Sequence, residues 1–264
     1  MIRNLRELYQ YRALLWSLTQ RDLSARYRGS VLGFLWTFLN PTLLMLVYAL
    51  IFGKLMKQAI PNYTYFMFVG LLPWIWFSTS IGGGASAISD RRDLMTKVRF
   101  PAQVLPTTVV VVNFINYLLA LPLMVGLGLF CGIYPTIHYL AFPLVLAAQF
   151  IFTLGLLFIV SALNVAFRDL QHIVNNILTL TFFATPIILP LSTIQNADIN
   201  QTLKNVLIYG NPMAIITGGY QAIFYDHAWP NFEWLGIVTG VSVALLWVAS
   251  YIFERRREEF AELV

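Results

Sequence analysis

The chain has 264 residues, of which 58% are hydrophobic and only 11% are charged. Soluble domains carry about 25% charged residues, so this chain lacks the ionic groups that cover a soluble surface. No Asp, Glu, Lys or Arg occurs in the 68 residues from Phe100 to Phe167. Since about 20 apolar residues cross a bilayer as a helix, the composition predicts an all-α polytopic membrane protein. It excludes soluble enzymes, nucleic-acid-binding modules, secreted disulfide scaffolds and membrane β-barrels, whose strands alternate in polarity.

The uncharged stretches predict six membrane-spanning helices within a single transmembrane domain over residues 1–264. A turn at 131–135 (Cys-Gly-Ile-Tyr-Pro) divides the longest stretch into two spans, and Pro186 and Pro190 leave the end of the fifth span loosely defined. The six predicted spans are 31–53, 63–88, 107–130, 139–166, 173–191 and 234–253.

The distribution of basic residues predicts the orientation of the spans. With the N-terminus in the cytoplasm, 14 of the 17 Lys and Arg residues lie in cytoplasmic segments, and only Lys54, Lys57 and Lys204 lie outside. Cytoplasmic loops carry an excess of Lys and Arg, so both termini are predicted to be cytoplasmic, with 254–264 as a tail. The net charge of +5 therefore indicates orientation and anionic lipid, not nucleic acid.

Residues 1–28 are predicted to form an amphipathic helix that lies on the membrane surface. Leu and Trp side chains share one half of the helical wheel and Arg side chains the other, a pattern typical of interfacial helices. Arg12 and Asp22 interrupt the apolar half, so either the helix breaks or Arg12 extends its charged end to water. The alternative is a basic tail that only sets the topology.

Residues 89–101 join the second and third spans in the cytoplasm. Asp90 near the start and Lys97 and Arg99 near the end agree with a short helix and its dipole, which Pro101 stops. An apolar patch in this loop favours docking onto a soluble partner, and the alternative is a solvated loop that enforces topology. The patch consists of Leu94, Met95 and Val98.

The segment 192–233 is too apolar for a solvated outer loop. It contains two stretches, 202–209 and 212–224, that are too short to span the membrane, and Asn211-Pro212 resembles a helix cap followed by proline at the first helical position. The segment predicts two re-entrant helices that close an outer mouth. A small periplasmic cap is the alternative.

The predicted spans contain no acidic or basic residue, which argues against a proton-coupled carrier or an intramembrane aspartyl protease. No P-loop sequence is present, and neither catalytic, cofactor-binding nor metal-binding residues are predicted. The 40 aromatic residues fit either an interfacial belt or a path on which sugar rings stack.

The run from Arg21 to Trp36 (RDLSARYRGSVLGFLW) carries a family resemblance over the whole chain. The chain resembles the membrane permease subunit of type-2 ABC transporters that export polysaccharides and teichoic acids. The further matching segments, in chain order, are Asn40-Pro41, 47–52, 97–101, Leu105-Pro106, 167–170, Thr185-Pro186 and Asn211-Pro212.

The resemblance implies a homodimer in the bacterial inner membrane, paired with two copies of a P-loop ATPase that binds the ATP, so the chain itself needs no cofactor. The substrate would be a lipid-linked glycan, for which O antigen on undecaprenyl pyrophosphate is favoured over capsule and teichoic acid. Closure of the ATPase would push on the N-terminal helix and the 89–99 loop and open a path at the dimer interface.

The resemblance also implies roles for individual residues. The ATPase contacts would be Arg3, Arg6, Asp90, Arg91, Arg92, Asp93, Leu94, Lys97 and Arg99. The pyrophosphate entrance would be Arg26, Tyr27 and Arg28. The alternative is that these residues only set the topology and bind anionic lipid headgroups. The channel or gate residues would be Trp36, Trp74, Phe182, Phe183, Asn211, Pro212 and Tyr220.

Two other functions remain open from the sequence. One is the permease of a drug or small-lipid ABC exporter. The other is an integral membrane glycosyl- or acyltransferase, which requires carboxylates at a membrane face. Only Asp90, Asp93 and Asp169 qualify, and each lies beside an Arg.

Overall fold

The computed structural model describes residues 2–56, 60–97, 100–167, 169–196, 198 and 200–255, and this part of the chain forms helices and no strand. The all-α prediction is therefore confirmed. The helices are α1 (Ile2–Gln10), α2 (Arg12–Tyr27), α3 (Trp36–Tyr48), α4 (Tyr63–Gly84), α5 (Arg92–Lys97), α6 (Val104–Phe130), α7 (Phe142–Ala166), α8 (Leu170–Ala184), α9 (Leu191–Asn196), α10 (Gln201–Tyr209), α11 (Pro212–Phe224) and α12 (Phe232–Arg255).

Five helical segments in the described part are long and apolar enough to cross a membrane. They agree with five of the six predicted spans, although the first begins five residues later than expected and passes from α3 into a π-helix, Ala49–Leu55. The five segments are Trp36–Leu55, Tyr63–Gly84, Val104–Phe130, Ile137–Ala166 and Phe232–Arg255.

The predicted fifth span is shorter than expected. Helix α8 has 15 residues, or about 22 Å at 1.5 Å per residue, which is less than the hydrocarbon core of a bilayer. It ends because Thr185 precedes Pro186 and takes an extended conformation, the conformation that a following proline enforces. Helix length alone therefore does not confirm six spans.

Helix α4 forms the centre of the bundle, with α3, α6, α7, α8 and α11 packed around it. Helix α12 packs on the outside of α7. The two helices approach closely at Gly155, where an added Cβ would lie 3.0 Å from the backbone nitrogen of Leu246. Small residues permit this kind of close packing between membrane helices.

The N-terminal segment forms two helices instead of one. The break lies at Tyr11, and Arg12 turns back so that its guanidinium lies 4.5 Å from the ring centre of Tyr9 and donates to the Tyr9 carbonyl at 3.1 Å. Leu18 is buried against Val104 and Leu105 of α6. A break in the helix, one of the two outcomes left open for Arg12, is present at Tyr11, and α2 rests on a spanning helix.

The segment 192–233 contains both predicted short helices and adds α9 before them. Tyr63, at the start of α4, donates its hydroxyl to the Ile188 carbonyl at 3.0 Å, and Tyr225 donates to the Pro61 carbonyl at 2.6 Å. Helices α9, α10 and α11 thus belong to the end of the bundle where α4 begins, called here the distal end. Helices α1, α2 and α5 belong to the opposite end, called the basic end.

Candidate functional site

A groove runs between α3, α4 and α6 from the basic end toward the middle of the bundle. It encloses about 490 Å³ and combines polar side chains with the aromatic rings of Trp36, Trp76 and Tyr117. Its polar residues are Arg26, Ser30, Thr37, Asn40, Thr79, Asn113 and Asn116.

Two of the residues predicted for substrate contact meet in this groove. Arg26, at the end of α2, donates to the Oδ1 of Asn113 at 3.3 Å. Trp36, at the start of α3, donates its indole N–H to the Ser30 hydroxyl at 3.2 Å. Arg28 is exposed outside the groove, and the side chain of Tyr27 lies outside the described residues.

The inner wall of the groove was not predicted. Trp76 stacks on Tyr117 with ring centres 5.3 Å apart, and its buried indole N–H has no hydrogen-bond partner in the described structure. Asn113 and Asn116 lie three residues apart on α6, so they share a face of a span without charges. That spacing is the sequence signal that could have identified this wall.

An aromatic contact closes the bundle beyond the groove, where α3, α4 and α8 meet. The ring of Phe182 stacks on Tyr48 with centres 5.6 Å apart and lies 5.7 Å from Trp74. The structure therefore brings together two predicted gate residues, Trp74 and Phe182, with Tyr48, which was not predicted. Phe183 contacts Phe182 edge-on at 5.2 Å, but 66% of its side chain is exposed.

Asn211 and Pro212 join this contact to the distal helices. Asn211 caps α11 by accepting from the Met213 N–H at 3.1 Å, and Pro212 occupies the first turn, as predicted. The Asn211 amide also donates to the Thr185 hydroxyl at 3.0 Å. The start of α11 is thus attached to the end of α8, directly after Phe182.

Tyr220, predicted as a channel or gate residue, lies inside the bundle. Tyr220 is fully buried between the rings of Tyr117 and Phe142, at 6.2 and 6.1 Å. It faces the core of the bundle because α11 packs between α4 and α7. An aromatic residue in an apolar helix has no sequence pattern that separates these two positions.

The basic end holds the residues predicted to contact an ATPase. Arg91 forms an ion pair with Asp22 of α2, so its guanidinium is engaged within the chain. Asp90 is exposed and accepts from the Ser86 hydroxyl at 2.7 Å. Arg6 and Asp93 are also exposed.

Leu94 and Met95, two residues of the apolar patch predicted for the loop, are partly buried. Leu94 and Met95 pack on the cluster of Leu18, Val104 and Leu105, because α2 covers this face of α5. The described surface at the basic end combines exposed charged residues with the exposed rings of Tyr9 and Trp16. Arg99 and Val98 lie outside the described residues, as do the side chains of Arg3, Arg92 and Lys97.

Comparison with known families decides the class of this membrane protein. The family model for ABC-2 type transporters matches residues 13–225, which include all of α2 except Arg12, together with the groove, the aromatic contact and α11. The chain belongs to the ABC-2 type transporter family. The permease is thus a multi-pass membrane protein and a transport component, not an enzyme.

Curated relatives cover the permease over most or all of its length. It is 64% identical to the O-antigen export system permease protein RfbA of Myxococcus xanthus, over 100% of both chains. An RfbA of Klebsiella pneumoniae is 32% identical over 95% of both. The polysialic acid transport protein KpsM of Escherichia coli is 22% identical over 73% of this chain and 76% of its own.

Proposed function

We propose that the permease exports a lipid-linked O-antigen polysaccharide across the bacterial inner membrane, driven by a separate ATPase. The observation that carries the proposal is the groove between α3, α4 and α6, which places one cation beside amides, hydroxyls and aromatic rings. The names of the RfbA relatives from two organisms support O antigen as the cargo.

The groove matches the two chemical parts of such a substrate. The Arg26 guanidinium lies at the basic end, and guanidinium groups bind phosphate oxygens in a forked geometry. Asn40 and Thr79 also line the groove and provide hydrogen-bonding groups for sugar hydroxyls. Trp36 and Trp76 provide large apolar faces for sugar rings, with indole N–H donors at their edges.

We propose six membrane crossings, which keep both termini in the cytoplasm. Asn175 of α8 lies against Gly82 near the end of α4, where an added Cβ would be 2.7 Å from its Oδ1. Ile188 bonds to Tyr63 at the start of α4. Residues 170–188 therefore run antiparallel to a 22-residue spanning helix, and the turn after Thr185 completes the crossing that α8 begins.

A second copy of the chain would cover the face formed by α3 and α8. Only 11% of the most apolar stretch of Trp36–Leu55 is buried, against 72% for α4. Asn40 is exposed on this segment. Helix α8 exposes Asn175, Asn176 and Thr179. Polar groups in a span are costly to leave facing lipid, so this face favours a homodimer with a polar path between the two copies.

The ATPase is proposed to act on the basic end. Helix α2 bonds to the 89–91 turn through Asp22 and to the groove through Arg26. A push on α1, α2 or α5 would therefore reach the groove directly. Phe182, Tyr48 and Trp74 join α3, α4 and α8, so a movement of α3 relative to α8 would be felt at these rings.

Complementation of a permease deletion strain tests the proposal. We expect the wild-type gene to restore surface O antigen, Arg26→Gln to abolish it, and Arg28→Gln to preserve it, because only Arg26 lines the groove. Membrane levels of each variant provide the control for folding. Equal export by the Arg26 and Arg28 variants would contradict the role of the groove, and ATP hydrolysis by the purified permease alone would contradict the separate motor.

A further inference from the structure

A second cavity lies at the distal end, separate from the groove. It encloses about 590 Å³ between α9, α10, α11, the start of α12 and residues 60–61, which is within the range of about 300–1,000 Å³ typical of small-molecule sites. Ala214, Gly218 and Ala222 recur every fourth residue along α11 and face it. Their small side chains leave the space open. This cavity is called the distal pocket.

The walls of the distal pocket have the chemistry of a carbohydrate site. Tyr209 and Trp234 stack with ring centres 4.1 Å apart and form an aromatic wall. Ser192, Gln195 and Asn231 contribute hydroxyl and amide groups, and Asp226 contributes a carboxylate. Carboxylates and amides bind sugar hydroxyls, and an aromatic wall covers the apolar face of a sugar ring.

The charge of the distal pocket favours the binding of uncharged sugars over lipid phosphates. No Lys or Arg is among the described residues that line it. The charged side chain among the lining residues is Asp226, whose carboxylate repels a phosphate, while the Lys204 ammonium behind Gln195 is bonded to the carbonyl of that residue at 2.9 Å. The groove at the basic end has the opposite character, because its one charged residue is Arg26.

We infer that the distal pocket binds a short segment of uncharged glycan on the outer side of the membrane. The inference rests on the proposed function, in which the polysaccharide emerges at this end. Helix α11 forms the floor of the pocket and begins at Asn211, which is bonded to Thr185 beside the aromatic contact. A glycan held here would be retained next to the point where it leaves the path.

Binding of released polysaccharide to the purified permease–ATPase complex in nanodiscs tests the inference. The probe is the O polysaccharide freed from its lipid by mild acid, and the measurement is isothermal titration calorimetry. We expect Trp234→Ala and Asp226→Asn each to weaken binding about tenfold or more. Gly218→Val should do the same by filling the pocket, since an added Cβ there meets Leu191 at an ordinary 3.4 Å.

Trp247→Ala is the matched control, because Trp247 lies on the exposed face of α12 and does not line the pocket. Binding by all three pocket variants at wild-type affinity would overturn the inference and assign the binding to the groove. An absence of wild-type binding would overturn it as well, provided that the same gene restores export in the deletion strain. Failure of export would instead refute the proposed function.

Discussion

Substitution of Asp22 by Asn breaks the ion pair that ties α2 to the turn at Ser89–Arg91. The Arg91 side chain depends on this pair, because its second terminal nitrogen, Nη1, is buried without a partner in the described structure. Asp22 also contacts Arg21 at 3.3 Å, but that guanidinium is 52% exposed. Arg21→Gln is therefore a matched control that removes an exposed partner of the same carboxylate.

The Asp22–Arg91 and Asp22–Arg21 contacts are expected to contribute different free energies because their side chains differ in exposure. The side chains of Arg91 and Asp22 are 18% and 20% exposed. A hydrogen bond to a charged group contributes about 1.5–3 kcal/mol and an exposed ion pair about 0–1 kcal/mol. We expect a coupling of about 1–2 kcal/mol between Asp22 and Arg91, and about 0.5 kcal/mol or less for Arg21.

A double-mutant cycle with Asp22→Asn and Arg91→Gln measures this coupling. The readout is the thermal midpoint of the purified complex, for which 1 kcal/mol corresponds to about 2–4 °C in a chain of this size. Glycan-stimulated ATP hydrolysis is recorded in parallel, and exchanging the two charges should restore both quantities. The proposed coupling of α2 to the turn would be refuted if the effects of Asp22→Asn and Arg91→Gln on the thermal midpoint were strictly additive. An Arg21→Gln effect as large as that of Asp22→Asn would refute it as well.

Three further substitutions have distinct expected outcomes. Gly128→Ala should lower the thermal midpoint by the equivalent of about 1–3 kcal/mol, because its Cβ would lie 2.8 Å from the buried Tyr65 hydroxyl, whereas Gly126→Ala on the same helix meets open space and should not. Asn211→Ala should cost about 1 kcal/mol through the lost cap, measured by the same midpoint. Partial burial raises the pKa of Asp226, so its ionised form is disfavoured in the fold. Asp226→Asn should raise the midpoint at neutral pH, and the gain should vanish as the pH falls through that raised pKa.

The spans were predictable because uncharged length is a property of the sequence alone. Five of the six predicted spans correspond to helical segments long enough to cross a membrane, and the cap at Asn211-Pro212 formed as expected. The helix of the fifth span is shorter than predicted because Pro186 ends α8 early. Pro186 is visible in the sequence, but the prediction gave more weight to the length of the apolar stretch. The break at Tyr11 lies beside Arg12, where the sequence alone left a break and an extended Arg12 side chain equally open.

The candidate site was only partly predictable because its contacts join residues far apart in the chain. Arg26 and Asn113 are 87 positions apart, and Asp22 and Arg91 are 69 apart. Nothing local marks one as the partner of the other. The aromatic residues show the same limit, since Phe182 and Tyr220 both lie in apolar helices. Only packing places the first between α3 and α4 and the second in the core.

The contacts of α2 support the proposal that an ATPase outside the membrane can move helices whose predicted spans carry no charged residues. Asp22 and Arg26 are four residues apart, so they lie one turn from each other on the same helix. The first holds the turn beside α5 and the second bonds to Asn113 in the groove. Leu18, one turn earlier, packs on Val104 and Leu105 at the start of α6. A displacement of α2 therefore pulls on the 89–91 turn, α6 and the groove together, and no charge within the spans is needed to transmit it.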